Sequence, residues 1–293
     1  MVSDPVRSVL CYLEMFKLKI MVPVSLTGFT GFFLYNPSFS SAILLVTTGI
    51  LCLSVSASIL NQIQEVDTDK LMERTKNRPL PSGKLRKQDA YAAFLVFLIA
   101  GSFLVFSGGN IVALLLSLFT VLWYNGVYTL LKRVTAYAVI PGALTGALPP
   151  FIGWVAAGGN PFDARVATLM LMFFAGQMPH FWLLLLKYGD QYAAAGMPSL
   201  TSTLNEKFLK KLILSFIILT SVAALLLKTT GVIANNVIFV STAVISGILV
   251  VLFYIFLEDK NAKREVSRYS IFLNTYYLIV MVLLVSDRLI QQS

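Results

Sequence analysis

Residues 61–83 read NQIQEVDTDKLMERTKNRPLPSG, and they directly follow an almost purely apolar run, residues 41–60. Asn61 and three carboxylates, Glu65, Asp67 and Asp69, stand near the start of this segment. If the apolar helix continues past Leu60, Asn61, Glu65 and Asp69 recur every fourth residue and share one face, while Asp67 projects elsewhere. The spacing therefore predicts a face of oxygen atoms at the end of a membrane helix.

The chemistry expected of this face depends on what neutralises it. Carboxylates one helical turn apart repel each other unless a cation lies between them, and hard oxygen ligands suit Mg²⁺. Four basic residues follow, Lys70, Arg74, Lys76 and Arg78, before Pro79 and Pro81 stop any helix. Cationic side chains form strong hydrogen bonds to phosphate oxygens. One interpretation is a clamp for Mg²⁺ and a diphosphate at a membrane surface, and the other is a charged loop with snorkelling side chains; spacing alone favours neither.

The composition excludes an ordinary soluble domain, because 57% of the 293 residues are hydrophobic and only 13% are charged. The apolar runs are long enough to cross a bilayer as helices of about 20 residues. We therefore predict an all-α fold, a polytopic membrane helical bundle of nine transmembrane helices. The predicted spans lie near residues 17–35, 41–60, 89–107, 110–130, 138–157, 164–186, 209–228, 235–257 and 269–287.

The distribution of Lys and Arg predicts the orientation of this bundle. Of the 23 such residues, all except Arg165, Lys228 and Arg288 fall on the side that holds the N-terminus and the loop after the second span. An excess of this kind over short loops marks the cytoplasmic side. We therefore expect a multi-pass protein of a bacterial inner membrane, with a cytoplasmic N-terminus and the C-terminus outside. The net charge of +9 is then a signal of topology and does not imply a nucleic-acid partner.

Further candidate residues lie at the ends of other predicted spans. Lys17 and Lys19 open the first span, where they can snorkel to headgroups or turn inward to a diphosphate. Tyr128 and Lys132 are four residues apart at the end of the fourth span, so hydroxyl and ammonium point the same way. An interfacial aromatic belt with a snorkelling lysine explains that pair about as well.

The only histidine, His180, lies near the end of the sixth predicted span, before Lys187 and Asp190. A lone histidine in a membrane helix is more often a packing or hydrogen-bonding residue than a functional one. Ionisable residues at membrane depth nevertheless tend to be functional. Both interpretations stay open on this evidence.

The order of residues in several segments resembles a known family. Asn-x3-Glu-x3-Asp, followed by Met72-Glu73-Arg74-Thr75 and Asn77-Arg78-Pro79-Leu80, resembles the first aspartate-rich motif of the UbiA superfamily of intramembrane prenyltransferases, although Glu65 replaces the usual Asp. The segments GALPPFIGW (146–154), PHFW (179–182) and YAAAGMP (192–198) are similar to its heme O synthase branch. Departures from that branch include Leu18, Tyr137, Pro141 and residues 199–202.

The resemblance implies a single transmembrane prenyltransferase domain, residues 1–293, which transfers the farnesyl group of farnesyl diphosphate to a vinyl group of heme b and uses Mg²⁺. It implies catalytic roles for Asn61, Glu65, Asp69, Tyr128, Lys132, His180 and Asp190. It implies diphosphate binding by Lys17, Lys19, Arg74, Arg78, Lys132 and Lys187. The expected metal ligands are Asn61, Glu65, Asp67, Asp69 and Asp190. The expected partners are the two substrates, the lipid bilayer, and a heme A synthase or terminal oxidase assembly.

Two alternatives remain from the sequence. A UbiA-type enzyme acting on an aromatic quinone precursor would carry a second acidic cluster after the sixth span, but only Asp190 is acidic near His180 and Lys187. An ion-coupled transporter, from a different class, usually places its acidic residues near mid-span. The acidic residues here lie at helix ends.

Overall fold

The computed structural model describes residues 5–202, 204–259 and 262–292, and within these ranges the chain forms helices and no strands. The α-helices are α1 (Pro5–Phe16), α2 (Leu18–Tyr35), α3 (Ser41–Gln64), α4 (Val66–Lys70), α5 (Lys87–Gly108), α6 (Ile111–Leu122), α7 (Thr129–Leu131), α8 (Val139–Ala156), α9 (Ala164–Ala194), α10 (Glu206–Thr229), α11 (Asn236–Glu258) and α12 (Ala262–Ile290). A π-helical turn, Trp123–Tyr128, joins α6 to α7, and 3-10 turns occupy Ala136–Ala138 and Leu200–Ser202.

Nine helical segments of the described chain are long and apolar enough to cross a membrane, which confirms the predicted fold class. They are Leu18–Tyr35, Ser41–Gln64, Lys87–Gly108, Ile111–Leu131, Ala136–Ala156, Ala164–Ala194, Glu206–Thr229, Asn236–Glu258 and Arg264–Ile290. Most ends lie within a few residues of the predicted ones, because hydropathy locates the centre of a span better than its last turn.

The largest difference from the predicted spans is at the end of the sixth span, where α9 continues to Ala194 instead of ending near residue 186. Polar residues do not end a helix by themselves. Gly196 ends this one, because it adopts a left-handed φ of 72°. The amide of Met197 then donates to the carbonyl of Tyr192 at 3.0 Å, which caps the last turn. The quoted segment PHFW (179–182) and the first residues of YAAAGMP (192–198) therefore lie on helix α9 and not on a loop.

Two local features of the helices do not follow from hydropathy. Helix α1 precedes the first span, and the two helices meet at Lys17. Proline usually breaks a helix, but α8 runs unbroken through Pro149 and Pro150. Membrane helices tolerate proline where neighbouring helices support the backbone, and α2 packs closely along α8 at this level.

Glycines make that close packing possible. A Cβ atom built on Gly31 of α2 would lie 1.8 Å from the carbonyl oxygen of Pro150, and one on Gly153 of α8 would lie 1.9 Å from the carbonyl oxygen of Gly28. No side chain fits at such distances, so the backbones touch directly, as small residues allow in membrane bundles. The contact fixes α8 beside the first span.

The connections between spans fall at two ends of the bundle. At one end, Gln292 after α12 donates to the carbonyl of Pro37 before α3, and buried Asp287 accepts from the amides of Ala234 and Asn235. At the other end lie α1, α4, the motif loop (residues 71–86) and the end of α9. Helices α1, α3 and α5 and the motif loop share a small apolar cluster of their own there, which includes Met15, Ile59, Ile63, Leu80 and Leu85. Asn61, Glu65 and Asp69 also lie at this end of the bundle.

Candidate active site

The acidic face, defined as Asn61, Glu65 and Asp69, is buried at the point where α3 gives way to α4. Asn61, Glu65 and Asp69 are 3%, 8% and 2% exposed. Glu65 has left helical geometry (φ −104°, ψ 7°), so the helix is interrupted there. The amide of Glu65 still donates to the carbonyl of Asn61 at 3.0 Å, and the amide of Asp69 to the carbonyl of Glu65 at 2.8 Å. The expected four-residue spacing is thus preserved across the interruption.

Each member of the acidic face has a partner from another segment. The Asn61 amide donates to the Thr129 hydroxyl at 3.1 Å. The Glu65 carboxylate lies 2.6 Å from the Lys132 ammonium, and Asp69 lies 2.8 Å from the guanidinium of Arg78. Buried charges require such pairing, and removing one partner of a buried pair costs about 3–5 kcal/mol. The pairs therefore hold the fourth span and the motif loop against the end of α3.

Asp67, which lies on α4 between these residues, is placed differently. Its side chain is exposed and pairs with Lys70 at 3.2 Å on the surface. An exposed pair of this kind contributes little to stability. The structure brings Glu65 and Asp69 together and directs Asp67 away from them.

Lys17 approaches the acidic face from the turn between α1 and α2. It adopts a left-handed conformation (φ 50°, ψ 44°), which costs a residue with a side chain about 1–2 kcal/mol. Burial, with Arg78 close by, lowers the pKa of Lys17 to about 7, although Asp69 and Glu65 act in the opposite direction. The Lys17 ammonium therefore stands among the charged groups of the site. Lys19, by contrast, is exposed.

Tyr128 and Lys132 meet as their spacing predicts. The Lys132 ammonium lies 5.2 Å from the centre of the Tyr128 ring, and that ring stacks on Tyr124 at 5.4 Å. Burial would lower the pKa of Lys132, but the carboxylate of Glu65 and the hydroxyl of Tyr124 outweigh it and raise the pKa. Lys132 is therefore held as a cation. The other side of the Tyr128 ring contacts Phe181 of α9, with ring centres 5.7 Å apart.

Arg74 connects the motif loop to the end of α9. Its backbone amide donates to the side chain of Gln191 at 3.2 Å, and its guanidinium donates to the Tyr192 hydroxyl at 3.4 Å. The guanidinium also lies 5.0 Å from the centre of the Tyr188 ring. The two motifs that the sequence separates by more than a hundred residues are therefore in direct contact.

The other candidates on α9 fall on different sides of that helix. Lys187 donates to the hydroxyl of Ser267 on α12. Asp190 lines a recess with Gly189, Thr201 and Glu206. Asp190 therefore borders a recess that the acidic face does not line.

His180 is exposed although it lies inside the sixth span. On the helix it follows Gly176, where a Cβ would strike the Tyr277 hydroxyl, and Gln177, which packs against Gly146 of α8. It thus lies on the face of α9 between α12 and α8, next to Phe181 and the Tyr128 ring. Within the described residues it makes no hydrogen bond or ion pair.

The donor set of the acidic face fits a hard cation. Asn61, Glu65 and Asp69 supply amide and carboxylate oxygens, the ligand type that Mg²⁺ prefers. In the part of the chain that the structure describes, no group of three or more His, Cys, Asp or Glu side chains is assembled for a metal. Two carboxylates and an amide would leave other positions to water or substrate phosphates, as Mg²⁺ sites commonly do.

Sequence reasoning missed several residues of the site. Gln62, Thr129, Tyr124, Tyr188 and Gln191 all contact candidate residues or the segments that carry them. Gln191 and Tyr188 lie between the quoted segments PHFW (179–182) and YAAAGMP (192–198), so their position was the available signal. Thr129 follows Tyr128 directly. Nothing in the sequence marks Gln62, since glutamine beside asparagine carries no spacing rule.

Solved structures share this arrangement of helices. The chain superposes on a digeranylgeranylglyceryl phosphate synthase with a TM-score of 0.73 and 19% identity, over 96% of this chain and 98% of that one. It superposes on a UbiA homolog from Aeropyrum pernix K1 with a TM-score of 0.70 and 16% identity, over 94% and 99%. A UbiA homolog from Archaeoglobus fulgidus bound to GPP and Mg²⁺ gives 0.65 at 16% identity, over 93% and 99%. The fold is therefore that of the UbiA class of membrane helical bundles.

Sequence comparison supports the same class. The profile of the UbiA prenyltransferase family matches residues 24–276. A protoheme IX farnesyltransferase of Oleidesulfovibrio alaskensis is 34% identical over 94% of this chain and 96% of the relative. One of Geobacter sulfurreducens is 39% identical over 64% and 70%, and one of Marinobacter nauticus is 30% identical over 95% and 92%. The chain belongs to the UbiA prenyltransferase family.

The two aspartates of α4 provide a matched pair for testing the acidic face. We expect Asp69→Asn to lower prenyl transfer by at least about 100-fold, because it removes a buried charge paired with Arg78. We expect Asp67→Asn to change the rate by less than about twofold, because Asp67 pairs only at the surface. Initial rates on purified protein, with the amount of folded protein matched by size-exclusion chromatography, measure both. Equal losses would contradict the division between buried and exposed carboxylates.

Proposed function

We propose that the protein is a heme O synthase, which transfers the farnesyl group of farnesyl diphosphate to a vinyl group of heme b. The observation that carries the proposal is the buried acidic face with three basic side chains around it, Lys17, Arg78 and Lys132, of which Arg78 and Lys132 form ion pairs with it. This arrangement suits a diphosphate leaving group at a membrane interface. The similarity to protoheme IX farnesyltransferases over nearly the whole chain supports heme b as the acceptor. We further propose that residues 1–293 form one domain.

The cations provide the binding and the electrostatic part of the reaction. Lys17, Arg78 and Lys132 would donate charge-assisted hydrogen bonds to the diphosphate. Because negative charge grows on the leaving oxygen as the bond to the farnesyl carbon breaks, these bonds strengthen toward the transition state. Arg74 stands at the edge of the same region, tied to α9. Lys187 and Lys19 are proposed only as outer contacts, since Lys187 is bonded to Ser267 and Lys19 is exposed.

Asn61, Glu65 and Asp69 would hold Mg²⁺, which neutralises the diphosphate and polarises its oxygens when bound. A relative of the same fold is described as bound to GPP and Mg²⁺. Lys132 and Arg78 pair with Glu65 and Asp69 and so offset the repulsion between the two buried carboxylates. The remaining ligands that the sequence suggested, Asp67 and Asp190, lie outside this group of side chains and are proposed only as secondary contributors.

The acceptor side of the reaction needs a dry, apolar wall. Breaking the farnesyl carbon–oxygen bond leaves an allylic cation, and the electron-rich vinyl group of heme b forms the new carbon–carbon bond to it. Water then adds a hydroxyl to the porphyrin-stabilised cation and releases a proton. Tyr124 stacks on Tyr128, and Phe181 packs against Tyr128 at a tilt, so the three rings form an aromatic wall beside the acidic face. Such a wall excludes water from the first cation, which would otherwise be quenched.

An aromatic quinone precursor is a less favoured acceptor, because no second acidic cluster forms around His180 in the described chain. An ion-coupled transporter is also less favoured, because the paired carboxylates lie at the end of α3 and not at mid-span. A heme A synthase or a terminal oxidase assembly is proposed as a partner only because it would consume the product.

Identification of the product tests the proposal directly. We expect purified protein supplied with farnesyl diphosphate, heme b and Mg²⁺ to give heme b that has gained one farnesyl group and one hydroxyl group, measured by liquid chromatography and mass spectrometry. Asp69→Asn is the inactive control. Transfer to 4-hydroxybenzoate with unchanged heme b would overturn heme as the acceptor and retain the prenyltransferase. No transfer to either would overturn the proposed reaction.

His180 has two possible roles that one substitution separates. If it contacts heme iron, a propionate or the leaving phosphate, His180→Gln should lower farnesyl transfer by at least about tenfold. If it only packs, the change should cost little, because glutamine keeps a hydrogen-bonding group of similar size. We expect the first result, since His180 is an exposed ionisable residue inside a membrane span and makes no hydrogen bond in the described chain. The heme Soret band and farnesyl transfer are measured separately, and wild-type values for both would make His180 a packing residue.

We propose that the end of the bundle with the acidic face is cytoplasmic in a bacterial inner membrane, on the basis of the Lys and Arg distribution. Exposed Ser82 of the motif loop and exposed Pro161 between α8 and α9 report on opposite ends. In a protein with Cys11 and Cys52 replaced by serine, an impermeant maleimide should label Pro161→Cys in intact spheroplasts. It should label Ser82→Cys only after permeabilisation. The reverse pattern would invert the orientation.

A further inference from the structure

Lys17 adopts an unusual backbone conformation. Among the described residues it is the only one other than glycine with a positive φ, and it forms the whole connection between α1 and α2. Backbone strain of this kind persists only where the surroundings over-determine it, and it is concentrated at functional sites. The charged groups close enough to act on Lys17 are the two buried pairs of the site, Glu65 with Lys132 and Asp69 with Arg78, so the turn lies beside the acidic face.

One buried side chain ties the turn to the helix that carries the acidic face. The Nε2 group of Gln62 donates to the backbone carbonyl of Met15 at 2.7 Å, and Gln62 and Met15 are 2% and 0% exposed. Met15 precedes Lys17 by two residues and lies in the last turn of α1. A second hydrogen bond from Nε2, to the carbonyl of Ser58 at 3.1 Å, holds the amide in this orientation. The end of α1 is thus attached to α3 by a hydrogen bond that water cannot replace.

Apolar contacts support the same attachment. Met15 belongs to the small cluster with Ile63 of α3 and Leu80 of the motif loop. Phe16 packs edge-on against Phe97 of α5, with ring centres 4.8 Å apart. These apolar contacts hold α1 against the bundle, but they are non-directional and do not determine where along the surface α1 lies. The hydrogen bond from Gln62 is the directional part, because it requires a particular position of the Met15 carbonyl.

We propose that Gln62 is a positioning residue for diphosphate binding, which acts through the Met15 carbonyl to keep the Lys17 ammonium at the acidic face. Successive helical positions point about 100° apart. Asn61 therefore faces Thr129 while Gln62 faces α1, and one turn of α3 orients both sides of the site. The proposal rests on the proposed function only in that Lys17 binds the diphosphate. It does not depend on the identity of the acceptor.

A double-mutant cycle tests the proposal on the full-length protein in detergent. Binding of tritiated farnesyl diphosphate with Mg²⁺, without heme, is measured for the parent, Gln62→Leu, Lys17→Met and the double variant. We expect Gln62→Leu and Lys17→Met each to raise Kd by about tenfold, the loss of one hydrogen bond to a charged group. We expect the double variant to bind no more weakly than Lys17→Met. Such non-additivity indicates that one residue acts through the other.

Gln64→Leu is the matched control. Gln64 is also on α3, and its Nε2 donates to a carbonyl of another element, that of Asn125, at 3.2 Å. Its removal should change Kd by the same factor with and without Lys17, because Gln64 has no connection to the turn at Lys17. If the Gln62→Leu protein does not accumulate in the membrane, the Gln62→Asn variant takes its place in the cycle. The shorter asparagine side chain stays polar but does not reach the Met15 carbonyl.

Two results would overturn the proposal. One is an unchanged Kd in Gln62→Leu or Gln62→Asn. The other is a double variant whose Kd rises by the product of the factors of the two single variants, which is the result that general destabilisation would give. A parent protein that binds farnesyl diphosphate but does not prenylate heme would overturn the acceptor alone and leave the role of Gln62 standing. A parent that binds no farnesyl diphosphate would overturn both.

Discussion

The neutralisation of two buried carboxylates governs the architecture of the site. Glu65 and Asp69 lie at a helix end where little water reaches them, and an unpaired charge there is strongly destabilising. Their partners are far apart in the chain: Lys132 follows the fourth span, and Arg78 lies in the motif loop. The electrostatic requirement therefore draws three segments together, and it places cations where a diphosphate would need them.

The rest of the fold supplies the rigid frame for this arrangement. Gly31 and Gly153 allow α2 and α8 to touch along their backbones. The unbroken α8 then provides the surface on which Tyr128 and Phe181 pack, since a Cβ at Gly142 would lie 2.7 Å from the Tyr128 ring. Arg74 fixes the end of α9 to the motif loop through Gln191. The site is thus built on helices with one ordered loop across it.

The sequence was informative where a single physical rule acts locally. Hydropathy predicted nine spans, and four-residue spacing predicted the pairing of Tyr128 with Lys132 and the common face of Asn61, Glu65 and Asp69. It failed where tertiary contacts act. The bond from Gln62 to Met15, the unbroken helix through Pro149 and the extension of α9 depend on neighbours distant in the chain or on a glycine cap beyond the span. The resemblance grouped Asp190 with the site, and in the structure Asp190 lines a recess with Gly189, Thr201 and Glu206.

The paired resting state has a consequence for the order of events in the proposed reaction. When Lys132 and Arg78 turn part of their charge toward a diphosphate, Glu65 and Asp69 lose part of their neutralisation. Buried carboxylates are strongly destabilising without a neutralising cation. A hard divalent cation would satisfy both the carboxylates and the phosphate oxygens. The same charges that hold the empty site together would therefore make binding of the diphosphate and of Mg²⁺ mutually dependent, each favouring the other by an equal factor.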